Sequence, residues 1–238
     1  MRVALGFFGI TRSLKYTIDS IKTNIMNVLE SNDVQYDVFV HTYSLTTYKN
    51  FRTNESINIV DNDEYKLLNS DFVEIDEQEQ IKKIINMQLY RTHVDPWNTN
   101  YNSVDNFILA QYSKARLVKM IQTSNNEYDY ILFMRPDCKY TEPFDIKFFS
   151  SISDSSICIP DFHLNGPYKF NDRFCIANMR TYKLYGDIFE ILLPMSKRMP
   201  LHSETIIGEI MNLRKLRINR IPFRFSRVRC SGLVLDDK

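Results

Sequence analysis

One strand–helix–strand unit at the start of the chain limits what the rest of it can fold into. Val3 to Phe8 is a short apolar run of strand length. Leu14, Ile18, Ile21, Ile25, Val28 and Leu29 then recur at helical spacing, and the polar run Glu30-Ser31-Asn32-Asp33 ends that helix. Tyr36 to Thr42 is the next strand. Two strands joined through a helix at this spacing lie parallel, with a right-handed crossover. The expected class is therefore α/β, with a mainly parallel central sheet flanked by helices. Gly9 to Ser13 forms the turn before the helix, and Thr11 or Ser13 can N-cap it. Gly6 and Gly9 do not make a dinucleotide fingerprint, because the third glycine and the later acidic partner are missing.

The second constraint is Tyr130 to Met134, an apolar strand that stops at Arg135-Pro136-Asp137. Ligands in an open α/β sheet sit just beyond the carboxyl ends of strands. A cation and a carboxylate at that edge suit a phosphate and a divalent metal; the alternative is a strand end capped by a structural salt bridge. Arg12 sits at the first strand-to-helix turn, where helix N-terminal amides and a guanidinium suit a pyrophosphate. Arg12, Arg135 and Asp137 are thus expected to meet at one sheet edge.

The remaining elements are coarser. Residues 44–70 read as a polar loop with short elements. Ile81, Ile84, Ile85, Gln88 and Leu89 mark a helix, and residues 92–103, with His93, Pro96 and Trp97, an irregular segment of the kind that often binds ligands. A long helix follows from Phe107 to Ile121, with Gln111, Ser113 and Lys114 near its start. Ile157 to Pro160 and Phe174 to Ala177 read as short strands, and Tyr182 to Leu193 as a helix ended near Pro194. Ser203 is the expected N-cap of a helix carrying Glu204, Ile206, Ile207 and Ile210. Ile218 to Val228 closes the chain in extended form. Arg224, Arg227 and Arg229 lie in or beside it, either as a solubilising edge or as phosphate ligands.

A length of 238 residues fits one large domain or two small ones and can bury a full core. The formal net charge of +1 gives no global pull toward nucleic acid or an anionic membrane. No apolar run is long enough to cross a bilayer, and only Arg2 precedes the first strand, without a secretory apolar region. The four cysteines form no Cys-x-x-Cys pair. They read as reduced thiols in a cytoplasmic protein, with no structural zinc.

Taken in order, these segments resemble the GT-A type glycosyltransferases, specifically the small viral and bacterial polysaccharide-biosynthesis proteins. The resemblance is carried by Gly9 to Ser13 (Gly-x-x-Arg-Ser), Phe39 to Tyr43 (Phe-Val-His-Thr-Tyr), Gln111 to Ser113, Arg135 to Asp137, Asn171 to Phe174 and Glu204. It covers most of the chain. Usage heavy in Asn, Ile, Lys and Tyr suits an A/T-rich genome, and a viral source would put the protein in host cytoplasm.

The resemblance implies a single GT-A, Rossmann-like domain with a nucleotide-sugar-binding half at 1–140 and an acceptor-side half at 141–238. It implies transfer of a sugar from a UDP- or GDP-linked donor to a hydroxyl of a glycan acceptor. Gly9, Thr11, Arg12, Thr42, Tyr43, Gln111, Lys114 and Arg135 would bind the donor. Tyr43 either stacks on the base or packs under the adjoining loop. Asp137 stands where the last acid of the metal-binding Asp-x-Asp would be, with Mn²⁺ or Mg²⁺ as the implied ion, while Arg135 replaces the first acid. Glu204 stands where inverting enzymes of this type carry a general base, and Asp172 is the second candidate. A degenerate, non-catalytic module that binds a nucleotide sugar or glycan is the rival reading.

Overall fold

Val3, Leu5 and Phe7 pack on one side of β1 (Arg2–Phe8), Ala4 and Phe8 on the other, and both sides are buried. A strand covered on both faces needs no polar alternation, which is why the N-terminal run is continuously apolar. The computed structural model, which describes residues 1–235, builds a mixed α/β fold around this strand; residues 236–238 of the expected acceptor-side half lie outside the described residues.

From β1 the chain enters α1 (Leu14–Ile21), passes through a π-helical turn at Lys22–Met26 and continues as α2 (Asn27–Ser31). It returns as β2 (Gln35–Ser44), parallel to β1. A hairpin of β3 (Tyr48–Asn50) and β4 (Glu55–Ile57) precedes β5 (Phe72–Glu77) and α3 (Gln78–Ile85). The long helix α4 (Asn102–Thr123) then packs on β1 and β2 and leads to β6 (Tyr130–Met134), parallel to β1. Past β7 (Cys138–Tyr140) come β8 (Ser156–Pro160) and β9 (Phe174–Asn178). Then follow α5 (Tyr182–Gly186), α6 (Phe189–Ser196), α7 (Ser203–Leu213), β10 (Arg217–Ile221) and β11 (Phe225–Arg227).

Seven strands form the central sheet in the order β10-β8-β9-β6-β1-β2-β5. Among them β9 alone runs against its neighbours β6 and β8. β11 pairs with β7 outside this sheet. The sheet draws strands from both halves of the chain. The chain leaves β1 toward β2 on one side, while β6 lies on the other. The crevice outside the carboxyl ends of β1 and β6 is therefore the switch point where open sheets hold ligands. All four cysteines are free. Among the described residues no helix is long and apolar enough to cross a membrane.

Three local expectations differ. β5 was not anticipated: it is an edge strand of alternating exposure, with Glu74 and Asp76 breaking the apolar pattern, and it is held by Phe72 stacked on Phe39 at 4.5 Å. The helix expected to end near Pro194 is instead two helices broken at Asp187 and Ile188, and Pro194 lies inside the second. Its C-terminal carbonyl, on Ser196, accepts the Thr92 hydroxyl. Ser203 is not the N-cap of α7; His202 holds that place, its ring Nδ1 3.1 Å from Thr205 Oγ1.

Candidate active site

The floor of the crevice is made by two strand ends. β1 ends at Gly9, whose φ of +92° suits glycine and few other residues. Its N–H donates to the Ser113 hydroxyl of α4 over 2.9 Å, which pins the turn. Three residues on, Arg12 is 8% exposed. Its guanidinium lies over the Tyr48 ring at 4.4 Å and reaches Asp137 at 3.8 Å.

β6 ends at Met134, and the backbone beyond it is tied down on three sides. The Arg135 N–H donates to the Arg173 carbonyl at 3.1 Å. The Pro136 carbonyl accepts the Thr17 hydroxyl at 2.6 Å. The Asp137 carbonyl accepts the Val228 N–H at 2.8 Å. The side chains of Arg135 and Asp137 close on each other as a fork, Nε to Oδ1 at 2.9 Å and Nη2 to Oδ2 at 2.5 Å. Burial alone pushes the Asp137 carboxyl up. The guanidiniums of Arg135 and Arg12 outweigh that and hold it well below the usual carboxylate range.

One wall rises from the segment before β9. The Asn171 side chain donates to the Phe162 carbonyl and accepts the Arg173 N–H, both at 3.0 Å. This fixes Asp172 and Arg173 between them. Arg173 lies 3.4 Å from Asp172 and 3.8 Å from Glu204, so one buried guanidinium bridges the two candidate bases. Burial works to raise the Asp172 carboxyl, but Arg173, Arg135 and Lys114 together lower it. Glu204 sits on the first turn of α7, 6% exposed. It accepts the Ser203 hydroxyl and, at 3.4 Å, the Asn165 amide.

The rim has two further parts. Asp95 organises the irregular segment by accepting the N–H groups of Trp97 and Tyr101, each at 3.0 Å, and so sets Trp97 over the cleft. The Trp97 ring stacks on His202 at 5.0 Å. Opposite, Glu55 of β4 joins the hairpin to the C-terminal segment: it meets Arg229 at 3.1 Å, accepts the Cys230 N–H at 3.0 Å, and lies 4.0 Å from Arg12. The enclosed volume is about 360 Å³, within the range of small-molecule sites.

Arg12, Arg135, Asp137, Asp172 and Glu204 all line this one cleft, with Gly9 and Tyr43. Thr11, Thr42, Gln111 and Lys114 are buried and do not line it. Thr42 and Tyr43 are consecutive on a strand, so their side chains take opposite faces. Tyr43 itself is 3% exposed and donates its hydroxyl to the Leu109 carbonyl at 2.7 Å, which is packing rather than an open stacking platform. Lys114 is wholly buried, its ammonium 3.9 Å from the centre of the Tyr185 ring, and burial brings its pKa down to about 7. Arg227 and Arg229 line the cleft, whereas Arg224 pairs with Asp161 and lies on the Phe162 ring at 4.9 Å. Sequence reading missed Arg173, although it is the variable residue of the Asn-Asp-x-Phe motif. It also missed Glu55, which has no local signal.

The carboxylates present do not suit a divalent cation. Both oxygens of Asp137 are taken by Arg135, and among the described residues no three His, Cys, Asp or Glu side chains gather to hold a metal. Two unit charges 4 Å apart interact by about 4 kcal/mol at the effective dielectric near a protein surface. An ion of charge two seated on Asp137 would be repelled by roughly twice that from each guanidinium at such a distance.

No protein-family model and no curated protein matches the chain. Among solved structures it is similar to the galactosyltransferase LgtC in complex with donor and acceptor sugar analogs. That match has a TM-score of 0.48 and 11% identity, covering 89% of this chain and 70% of that one. It is also similar to a glycosyltransferase involved in the glycosylation of the major capsid of PBCV-1, with a TM-score of 0.46 and 7% identity over 92% of this chain and 80% of that one. A third is the glycosyltransferase GlyE of Streptococcus pneumoniae TIGR4, at 0.46 and 8% identity over 93% of this chain and 46% of that one.

Proposed function

We propose that the chain is a glycosyltransferase that moves a sugar from a nucleoside-diphosphate sugar to a hydroxyl of a glycan acceptor, with inversion. The observation that carries this is the meeting of Arg12, Arg135 and Arg173 with Glu204 and Asp172 in one cleft at the switch point of the sheet. Arg12 and Arg135 on the floor meet the charge that develops on a leaving diphosphate, and the two carboxylates stand on the wall with Arg173 between them.

Glu204 takes the proton of the acceptor hydroxyl. The freed oxygen forms its bond to the anomeric carbon from the face opposite the diphosphate. The bond from that carbon to the phosphate oxygen breaks, and the nucleoside diphosphate leaves with the electron pair, its charge met by the arginines. Arg173, within reach of both acids, holds Glu204 and Asp172 apart.

The contact of Glu204 with Arg173 and Ser203 also favours a second reading, a binding module whose acid is locked and whose donor is held without turnover. A panel of UDP- and GDP-linked sugars, assayed without acceptor, separates the two. Release of nucleoside diphosphate from one donor, accelerated by a glycan acceptor, is expected. Thermal stabilisation by a donor with no release would favour the module, and no stabilisation by any of them would end both readings.

A further inference from the structure

We propose that this cleft holds the diphosphate of its donor on arginines in place of a divalent cation. The inference rests on the nucleotide-sugar reading above and departs from the metal-dependent behaviour that the sequence resemblance implied.

Three independent observations lead here. The first is the charge of the lining. Among the described residues six arginines line the cleft, Arg12, Arg52, Arg135, Arg173, Arg227 and Arg229, against the carboxylates Asp137, Asp172 and Glu204, with Glu55 beside Arg12 and Arg229. A lining with that excess of cations attracts a dianionic diphosphate and repels a dication.

The second is the state of the acid that would have to hold the metal. A hard cation binds through carboxylate oxygens that are available to it. Asp137 gives both of its oxygens to the Arg135 fork, with Arg12 3.8 Å beyond. Glu55, the other buried acid at this end, is already shared by Arg229 and the Cys230 N–H. A metal seated on either acid would lie against a guanidinium already bound to that carboxylate.

The third is an unmet demand of the opposite kind. Buried polar atoms in folded proteins are nearly always hydrogen-bonded. Here Arg12 Nε and Arg173 Nε are buried with no hydrogen-bond acceptor, and Arg173 Nη1 has only its 3.4 Å ion pair with Asp172, on side chains each 7% exposed. Donors lacking acceptors call for an anion rich in oxygen. Phosphoryl oxygens meet guanidinium donors in pairs, and such charge-assisted bonds are short and strong. The Asp137 carboxylate then aligns Arg135 instead of ligating an ion, and the same arginines that bind the diphosphate in the ground state receive its charge as it leaves.

The test uses the whole chain and measures binding calorimetrically, with UDP, GDP and inorganic pyrophosphate as probes, in EDTA and again with Mn²⁺. Expected is binding of at least one probe in EDTA, changed less than about threefold by Mn²⁺ and weakened by added salt. In the same buffer without EDTA the paramagnetic resonance signal of aqueous Mn²⁺ should stay undiminished by stoichiometric protein. Arg12→Gln and Arg229→Gln should each lower probe affinity about tenfold or more at unchanged circular dichroism. Arg229 lies in the C-terminal segment outside the packed strand ends, so its variant reports binding even if Arg12→Gln fails to fold. Pyrophosphate bound in EDTA with neither nucleoside diphosphate bound would keep the arginine site and remove the nucleotide-sugar reading. Binding of every probe only with Mn²⁺, or of none in either buffer, would overturn the proposal.

Discussion

The floor and the wall of the cleft use the same residue types in opposite ways. On the floor, Arg135 and Asp137 satisfy each other through two short hydrogen bonds, and the backbone of both is anchored from α1, the segment before β9 and the C-terminal segment. On the wall, Arg173 stands 3.4 Å from Asp172 and 3.8 Å from Glu204, distances too long for close hydrogen bonds, and its Nε has no acceptor. The closed pair offers a ligand only its field and the guanidinium protons that lie outside the fork. The open trio keeps donors in reserve and two acids at distances where a small shift makes or breaks a bond. An Arg–Asp contact thus says little about role until its remaining hydrogen-bonding capacity is counted.

The sharpest test of that contrast is Glu204→Gln. If the wall does the chemistry, turnover falls about 10²–10⁴-fold, equivalent to ~2.7–5.4 kcal/mol of barrier, while donor affinity holds. Steady-state kinetics at saturating donor, with NMR of the product's anomeric configuration, check both parts. Near-normal turnover or retained configuration would move attention to Asp172.

The floor is broken next, and here the two partners should differ. Arg135→Ala leaves a carboxylate 5% exposed without its fork and should cost about 3 kcal/mol, the low end for breaking a buried pair, because the Arg135 side chain is itself 30% exposed. Asp137→Ala leaves a guanidinium that can turn to water and should cost about 1–2 kcal/mol. Chemical denaturation of both variants measures the order. Equal losses would mean the pair is not anchored as described.

Lys114, behind the wall, gives a smaller effect with a definite sign. Its folded pKa of about 7 lies below the unfolded value. Between those values the unfolded chain binds more protons, so stability rises with pH. Between pH 7 and pH 9 the wild type should gain about 2 kcal/mol relative to Lys114→Met. A difference that stays flat in paired melts at those pH values would show that the ammonium is solvated.

Smallest is Tyr43→Phe. Losing the hydrogen bond to the Leu109 carbonyl should cost about 1 kcal/mol of stability and leave probe affinity within about twofold. A large fall in nucleotide affinity would instead restore Tyr43 as a base-stacking residue.

How much of this was legible in the sequence follows from burial. β1 and β6 could be read because strands covered on both faces leave apolar runs, and β2 from its shorter apolar centre Val38-Phe39-Val40. β5 could not, since its inward positions include Glu74 and Asp76, paired with Arg116 and His41, while Val73 and Ile75 lie on the more exposed side. The reversed direction of β9 was equally silent: Phe174 to Asn178 reads the same either way, and only its pairing with β6 sets it. At the site, residues just past strand ends were legible because the sheet itself delivers them to one edge. Thr42 was misplaced by a single step of strand phase, and Lys114 because α4 starts at Asn102, which puts Lys114 in mid-helix on a buried face against Tyr185 rather than near the helix start. Glu55 acquires its role from Arg229, 174 residues away, and no local pattern carries such a pairing.

Trp97 has a practical consequence. It is the sole tryptophan of the chain, and it lies at the mouth of the cleft, with His202 stacked on it and the Arg52 guanidinium 5.8 Å from its ring. All indole emission from this protein therefore originates at one place. A sugar or nucleotide entering the cleft changes the polarity around that single fluorophore, so occupancy is readable optically without a label. In a denaturation series the same emission follows the segment held by Asp95, and comparing it with far-ultraviolet ellipticity tells whether the mouth loosens before the sheet gives way.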